Sequence, residues 1–198
     1  MLMERFTNSI NKSLESKNWF AALFMTLALH DICGALEEPS RPVGERYKDW
    51  FNRFLKSKYN PDTMYESMMV SSPETLENLP EMVVEQLKIH PTMPATAFSA
   101  EDCYRLRCKC LHQGLPERME NDRIHFTIPD PTGRMDFHRN SFNGVLQLSI
   151  DVFCTDVCNA VTEWSSEVRS NTDVQQRIED LIKIYGLDAK ELPIVNYK

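Results

Sequence analysis

The sequence predicts a mainly α-helical protein: a single helical bundle with a small β-hairpin insert near residues 123–138. Three observations carry this reading. Apolar residues recur at helical spacing over most of the chain. Glycine, which weakens regular elements, is scarce at 6 of 198 residues, while methionine and phenylalanine each number 10. Strict alternation of apolar and polar residues, the mark of a half-buried strand, appears only after residue 122. A chain of 198 residues suits one domain, 1–198, with a sizeable core. No repeat, low-complexity tract or linker divides it.

The elements follow in order. Phe6, Ile10 and Leu14 make residues 4–16 a short amphipathic helix. Asn18 is placed to cap the next helix, 19–37, which is apolar almost all round (Phe20, Leu23, Phe24, Leu27, Ile32, Leu36) and is expected at the centre. Pro39 and Pro42 break the chain before a helix over about 43–57, with Tyr47, Trp50, Phe51, Phe54 and Leu55 inward. Residues 58–72 read as irregular, with one helical turn at 62–69. Helical spacing resumes over 74–89, with a break at Pro80, and the prolines from 91 to 94 mark a loop. Ser99 with Asp102 three residues on forms a capping box for a helix over 100–112, and Gly114 stops it.

Residues 123–128 then alternate as a strand. Asp130-Pro131-Thr132-Gly133 is turn chemistry, and residues 134–138 are expected to pair back as a hairpin, bringing His125 and His138 near one another. Residues 145–148 form either a third strand or the start of the next helix. That helix covers about 149–168 through Ile150, Phe153, Cys154, Val157, Val161 and Trp164. Asn171 or Thr172 caps a last helix to Tyr185, with Val174, Ile178, Leu181 and Ile182 inward and Gly186 ending it.

A net charge of −7 excludes a protein coated for nucleic acid, so any such contact must come from a local cluster. The acidic balance also suits a basic protein partner, or solubility alone. Six cysteines without a secretory context point to a reducing, cytoplasmic location. Residues 19–36 approach the length of a membrane span, but His30 and Asp31 interrupt them, and a buried helix, with no membrane partner, is expected.

The chemistry concentrates in Tyr104-Arg105-Leu106-Arg107-Cys108-Lys109-Cys110-Leu111-His112-Gln113-Gly114. Cys103, Leu106, Cys110 and Leu111 draw the apolar stripe of this helix, and Arg107 stands at its missing i+4 position. An interior guanidinium is costly unless it is paired or ligand-bound. Asp31, an oddity in its own apolar helix, is the economical partner; pairing with His30 or pointing to solvent are its alternatives. His112 closes the helix, where the negative end of the dipole favours an imidazolium.

An arginine can hold phosphate oxygens bidentately, and an imidazole can move a proton to or from a ribose 2′-OH or a leaving oxygen. Arg107, His112 and Asp31 are therefore the candidate catalytic residues. Arg105, Lys109 and Tyr104, on the same helix, are the candidate substrate contacts. The bland alternative is a structural arginine–carboxylate pair beside a solvent-facing histidine, with Arg105 in a surface pair with Glu101. Cys108-x-Cys110-x-His112 and Cys154-x3-Cys158 lack knuckle spacing, so no metal site is expected, and no cofactor motif is present.

The run from Arg107 to His112 resembles the Arg-x4–6-His signature of the HEPN superfamily, the higher eukaryote and prokaryote nucleotide-binding domains. The resemblance implies an all-helical up-and-down bundle with the motif near the end of a late helix, faced by a polar or acidic residue such as Asp31. It implies a metal-independent endoribonuclease of toxin–antitoxin or phage-defence type, acting on RNA, with a homodimer bringing two motifs into one cleft and an antitoxin or other protein as possible partner. It makes Arg107 and His112 catalytic. Cys108 stands where the family usually has a polar residue, and the hairpin is extra to the minimal bundle. A non-catalytic interaction, regulatory or nucleotide-binding protein is the alternative.

Overall fold

The computed structural model describes residues 3–184 except 115–116, 120–121 and 133–136. Helix α1 (Glu4–Glu15) buries Ile10 against α2 (Trp19–Glu37). The side chain of Asn18 caps α2 by accepting from the Ala21 amide. Helix α2 has the length and apolar composition of a membrane span, yet it packs against α1, α3 (Val43–Phe54), α8 (Ala100–Gln113), α9 (Ile150–Glu167) and α10 (Thr172–Glu179). Its buried residues run from Ala22 to Leu36. The expectation of a central helix needs one correction at its start: Phe20 is 75% exposed and Phe24 is 38% exposed, so the first turns present aromatic surface on one side.

Helix α3 turns Tyr47, Trp50, Phe51 and Phe54 inward, each aromatic contributing about 2–3 kcal/mol by burial. It stops at Phe54 rather than near residue 57, because Leu55 leaves helical geometry before the short α4 (Lys56–Tyr59). The segment expected to be irregular holds α4 and α5 (Met64–Ser71), the latter capped by the Thr63 hydroxyl. The segment 74–89 forms two helices, α6 (Pro73–Glu77) and α7 (Glu81–Ile89), divided as expected. Their separation falls at Pro80, whose ring cannot continue the hydrogen-bond ladder. Together α5, α6 and α7 bury only Leu76, and they form an arm on the bundle.

A four-stranded sheet is inserted between α8 and α9, in the order β1 (Glu117–Met119), β2 (Asp122–Thr127), β4 (Val145–Ser149), β3 (Asn140–Phe142). The expected hairpin between 123–128 and 134–138 is corrected. Residues 134–136 lie outside the described residues, and Phe137 and His138 are not in a strand. Strand β2 pairs antiparallel with β1 and parallel with β4, with Arg123 opposite Val145 and Thr127 opposite Ser149. Residues 145–149 thus form a strand. The two histidines do not meet across strands: His138 packs edge-on against Tyr59, and its Nδ1 accepts from the Ser149 amide, while His125 is exposed.

Helix α9 buries Phe153, Cys154, Val157, Val161 and Trp164. The Trp164 indole donates to Glu37 at the end of α2. Helix α10, capped by Asn171, ends at Glu179, earlier than Tyr185. Ile182, expected inward, is 77% exposed, and residues 185–198, with Gly186, lie outside the described residues.

Candidate functional site

Helix α8 is built as the sequence requires at both ends. The Ser99 hydroxyl accepts from the Asp102 amide while the Asp102 carboxylate accepts from the Ser99 amide, and Gly114 takes the left-handed conformation at φ 68°. Cys103 and Leu106 are buried, and Cys110 and Leu111 are half-buried. This stripe sets Arg107 toward α2, where its Nη2 donates to Asp31 Oδ2 at 2.9 Å. The pair read from two sequence oddities is therefore formed.

It is not a simple pair. Arg46 of α3 takes the other carboxylate oxygen, donating to Asp31 Oδ1 from Nη2 at 3.1 Å and from Nε at 3.3 Å. Its Nη1 donates to the carbonyls of Arg41 and Pro39. Gly34, one turn beyond Asp31, makes the approach possible: a Cβ there would meet the Arg46 carbonyl oxygen at 3.1 Å and its Cγ at 3.2 Å. The cluster thus sets two guanidiniums on one carboxylate. It is half-buried, with 18% of the Arg107 side chain, 14% of Arg46 and 20% of Asp31 exposed. Arg107 Nε is buried without an acceptor, and its Nη1 has only the Cys108 sulfur at 3.9 Å.

Sequence reasoning missed Arg46. It sits on the polar side of an amphipathic helix among other charges, and nothing local distinguishes it from a solvated arginine. Only the glycine under it carried a signal.

The other candidates are spread around α8. At about 100° per residue, His112 lies about 140° from Arg107 around the helix axis. It is exposed and makes no hydrogen bond among the described residues. Arg105 is exposed and donates to Glu101, which also accepts from Lys48; these partners hold the Glu101 carboxyl below its ordinary range. Lys109 is half-buried on the same side of α8 as Arg105. Tyr104 packs on Gly44 and against the Tyr47 ring, and burial, with Cys108 beside it, pushes its phenol up. Arg107 and Asp31 are brought together; His112 is not brought to them within one chain.

Beneath the cluster lies an aromatic layer. His30 is fully buried, stacked on Tyr47 at 4.8 Å and edge-on to Trp50 at 5.0 Å. Burial lowers its pKa to about 3, which the Thr26 backbone offsets only in part. The Tyr47 hydroxyl touches the Cys103 sulfur at 3.4 Å, and burial pushes that thiol up to about 12. These groups are neutral near pH 7 and form floor, not reagents.

On the other side of α8, Leu106 and Cys110 join Trp19, Phe20, Phe24 and Phe126 around an apolar groove of about 570 Å³. Cys33, Cys103, Cys154 and Cys158 are buried free thiols. Among the described residues no three of His, Cys, Asp or Glu gather as a metal ion would need. No family model, curated protein or solved structure matches the chain.

Proposed function

We propose that this chain is a HEPN-like, metal-independent endoribonuclease that uses Arg107 to hold a scissile phosphodiester and His112 to move the proton of the attacking 2′-OH or of the leaving oxygen. The supporting observation is the charge count at Asp31: two guanidiniums, one carboxylate, and an Arg107 that keeps donors unfilled while part of it reaches solvent. Such a cation is oriented and still able to take an anion bidentately. Asp31 then acts through Arg107, fixing its plane.

The exposed imidazole at the helix end is accessible to a substrate proton. Because Arg107 and His112 point apart on α8, the proposal includes a homodimer in which one chain's arginine and the other's histidine face a shared phosphodiester. Attack by the 2′-OH requires RNA and spares DNA.

The test is cleavage of a single-stranded RNA in chelator by wild type, His112→Ala and Arg107→Ala. The expected result is loss of cleavage by at least about 100-fold in each variant, as removal of a general acid–base group or a charge-stabilising donor produces. Equal rates in all three proteins would overturn the reading.

A second reading, a non-catalytic interaction or nucleotide-binding protein of the bundle, is favoured by the same network taken as structural, since Arg107 and Arg46 together tie α2, α3 and α8. It predicts that Arg107→Met loses stability while His112→Ala changes neither stability nor any RNA contact.

A further inference from the structure

The arm is held to the bundle at a tied neck. Thr63 bridges Pro91 antiparallel, the Met64 amide donates to the His90 carbonyl at 2.9 Å, and the Thr92 hydroxyl donates to the Pro61 carbonyl at 2.6 Å. Between these ties run α5, α6 and α7, of 8, 5 and 9 residues. Helices so short do not persist in water alone and depend on apolar packing. Yet α5 and α7 bury no residue, and α6 buries only Leu76. The neck fixes where the arm stands, and most of its apolar surface is left in water.

That surface is large and of one kind. Met82 is 77% exposed, Ile89 72% and Met93 69%, and Met69, Val70 and Val83 are exposed as well. A single exposed apolar side chain needs no explanation, whereas a group of them marks a place of contact. Met82 and Ile89 are seven residues apart on α7 and so lie about 20° apart around its axis, on one outer face, with Glu85 between them along the helix. Five of the ten methionines fall within residues 64–93. Methionine is unbranched and polarizable, and it adapts to an irregular partner surface.

Charge selects what covers this face. Residues 62–93 carry six carboxylates against the amine of Lys88 alone, which is −5 of the net −7 of the chain. Lys88 is already turned onto Glu85 at 2.7 Å and over the Tyr65 ring. Glu74 and Glu77 are exposed, with no cation in salt-bridge contact among the described residues. A second copy of the arm would set like charge on like, and an anionic lipid surface would be repelled in the same way. A helix with apolar residues along one side and lysine or arginine along its borders answers both the methionine surface and its acidic surround.

We propose that the outer face of α7, centred on Met82 and Ile89, docks a basic amphipathic helix of a partner protein. This surface is separate from the Arg107 site, and its test involves no RNA cleavage, so it stands whether or not the ribonuclease reading does.

The experiment titrates the whole chain against a labelled peptide of about 18 residues, leucine and lysine at helical spacing, long enough to become helical on binding. Binding is read by fluorescence anisotropy. One control peptide replaces every lysine by glutamate, and another replaces every leucine by serine. Saturable binding of the leucine–lysine peptide is expected, with each control weaker by at least about tenfold. Hydrogen exchange on the complex is expected to slow the amides of α7 and to leave those around Trp19 and Phe126 unchanged. Met82→Ser combined with Ile89→Ser, two exposed positions outside the core, is expected to weaken binding by about tenfold or more, and Phe20→Ser, at the apolar groove, to leave it unchanged. Absence of saturable binding, a control peptide that binds as well as the leucine–lysine peptide, or protection at the groove instead of α7 overturns the site. Self-association of the peptide-free chain that the double variant abolishes assigns the face to a second copy and overturns the proposal as well.

Discussion

Asp31 is the residue on which the candidate site turns. A carboxylate that neutralises two guanidiniums is worth more than either of them. Removing Arg107 leaves Asp31 still paired with Arg46, whereas removing the carboxylate leaves two half-buried cations facing each other. Asp31→Asn is therefore expected to cost about 3 kcal/mol and Arg107→Met about 1–2 kcal/mol, read from urea midpoints at unchanged slope.

His30, next in sequence, makes an opposite kind of demand. Its pKa falls from 6.5 to about 3 on folding, so the unfolded chain binds the extra proton between those limits. Stability is then full above pH 6.5 and is lost as pH falls toward 3, at up to about 1.4 kcal/mol per pH unit. The variant His30→Met should flatten the dependence of unfolding free energy on pH between 6 and 4 relative to wild type. The pairing of Asp31 with Arg107 was legible because each breaks the pattern of its own helix. Arg46 breaks no pattern of its own helix, and apart from Gly34 beneath it only the fold shows what it meets.

At the scale of elements, α8 shows how far local chemistry reaches. Both its ends were readable, since a capping box and a left-handed glycine are set by a few adjacent residues. Ser99→Ala is expected to cost about 1 kcal/mol. Gly114→Ala should cost about 1 kcal/mol as well, purely from backbone conformation, because nothing lies within 4 Å of the position a Cβ would take. Thermal melts of the two single variants and the double variant should show additive losses.

The sheet shows where local chemistry stops. The turn signal at 130–133 was sound in part: Thr132 donates to the Asp130 carboxylate from both its amide and its hydroxyl. It did not make a hairpin of the flanking segments, because β2 finds its long partner in parallel β4, and parallel pairing is reached through a crossover that no turn rule describes.

For the molecule as a whole, the charge of −7 and the local excess of cation at Asp31 act in opposite directions. A protein that met RNA through a broad basic face would lose affinity steeply with salt. In the proposed ribonuclease few cations would face the strand, and each neutralised phosphate of a single strand contributes a slope of about −0.7. Single-stranded RNA binding, followed by fluorescence anisotropy between 50 and 200 mM salt, is expected to give a log–log slope no steeper than about −2, with Arg107→Gln reducing it by about 0.7. A slope several times steeper would mean that another surface carries the contact.

One feature of the insert bears on how this molecule moves. Strand β4 ends at Ser149 and α9 begins at Ile150, with no slack between them. A sheet joined to a helix by a stiff splice cannot swing like a flap on a hinge. Amides in the last residues of β4 and the first turn of α9 should therefore exchange with deuterium together, through a single opening event, and loosening the insert would register in the helix that braces the centre of the bundle.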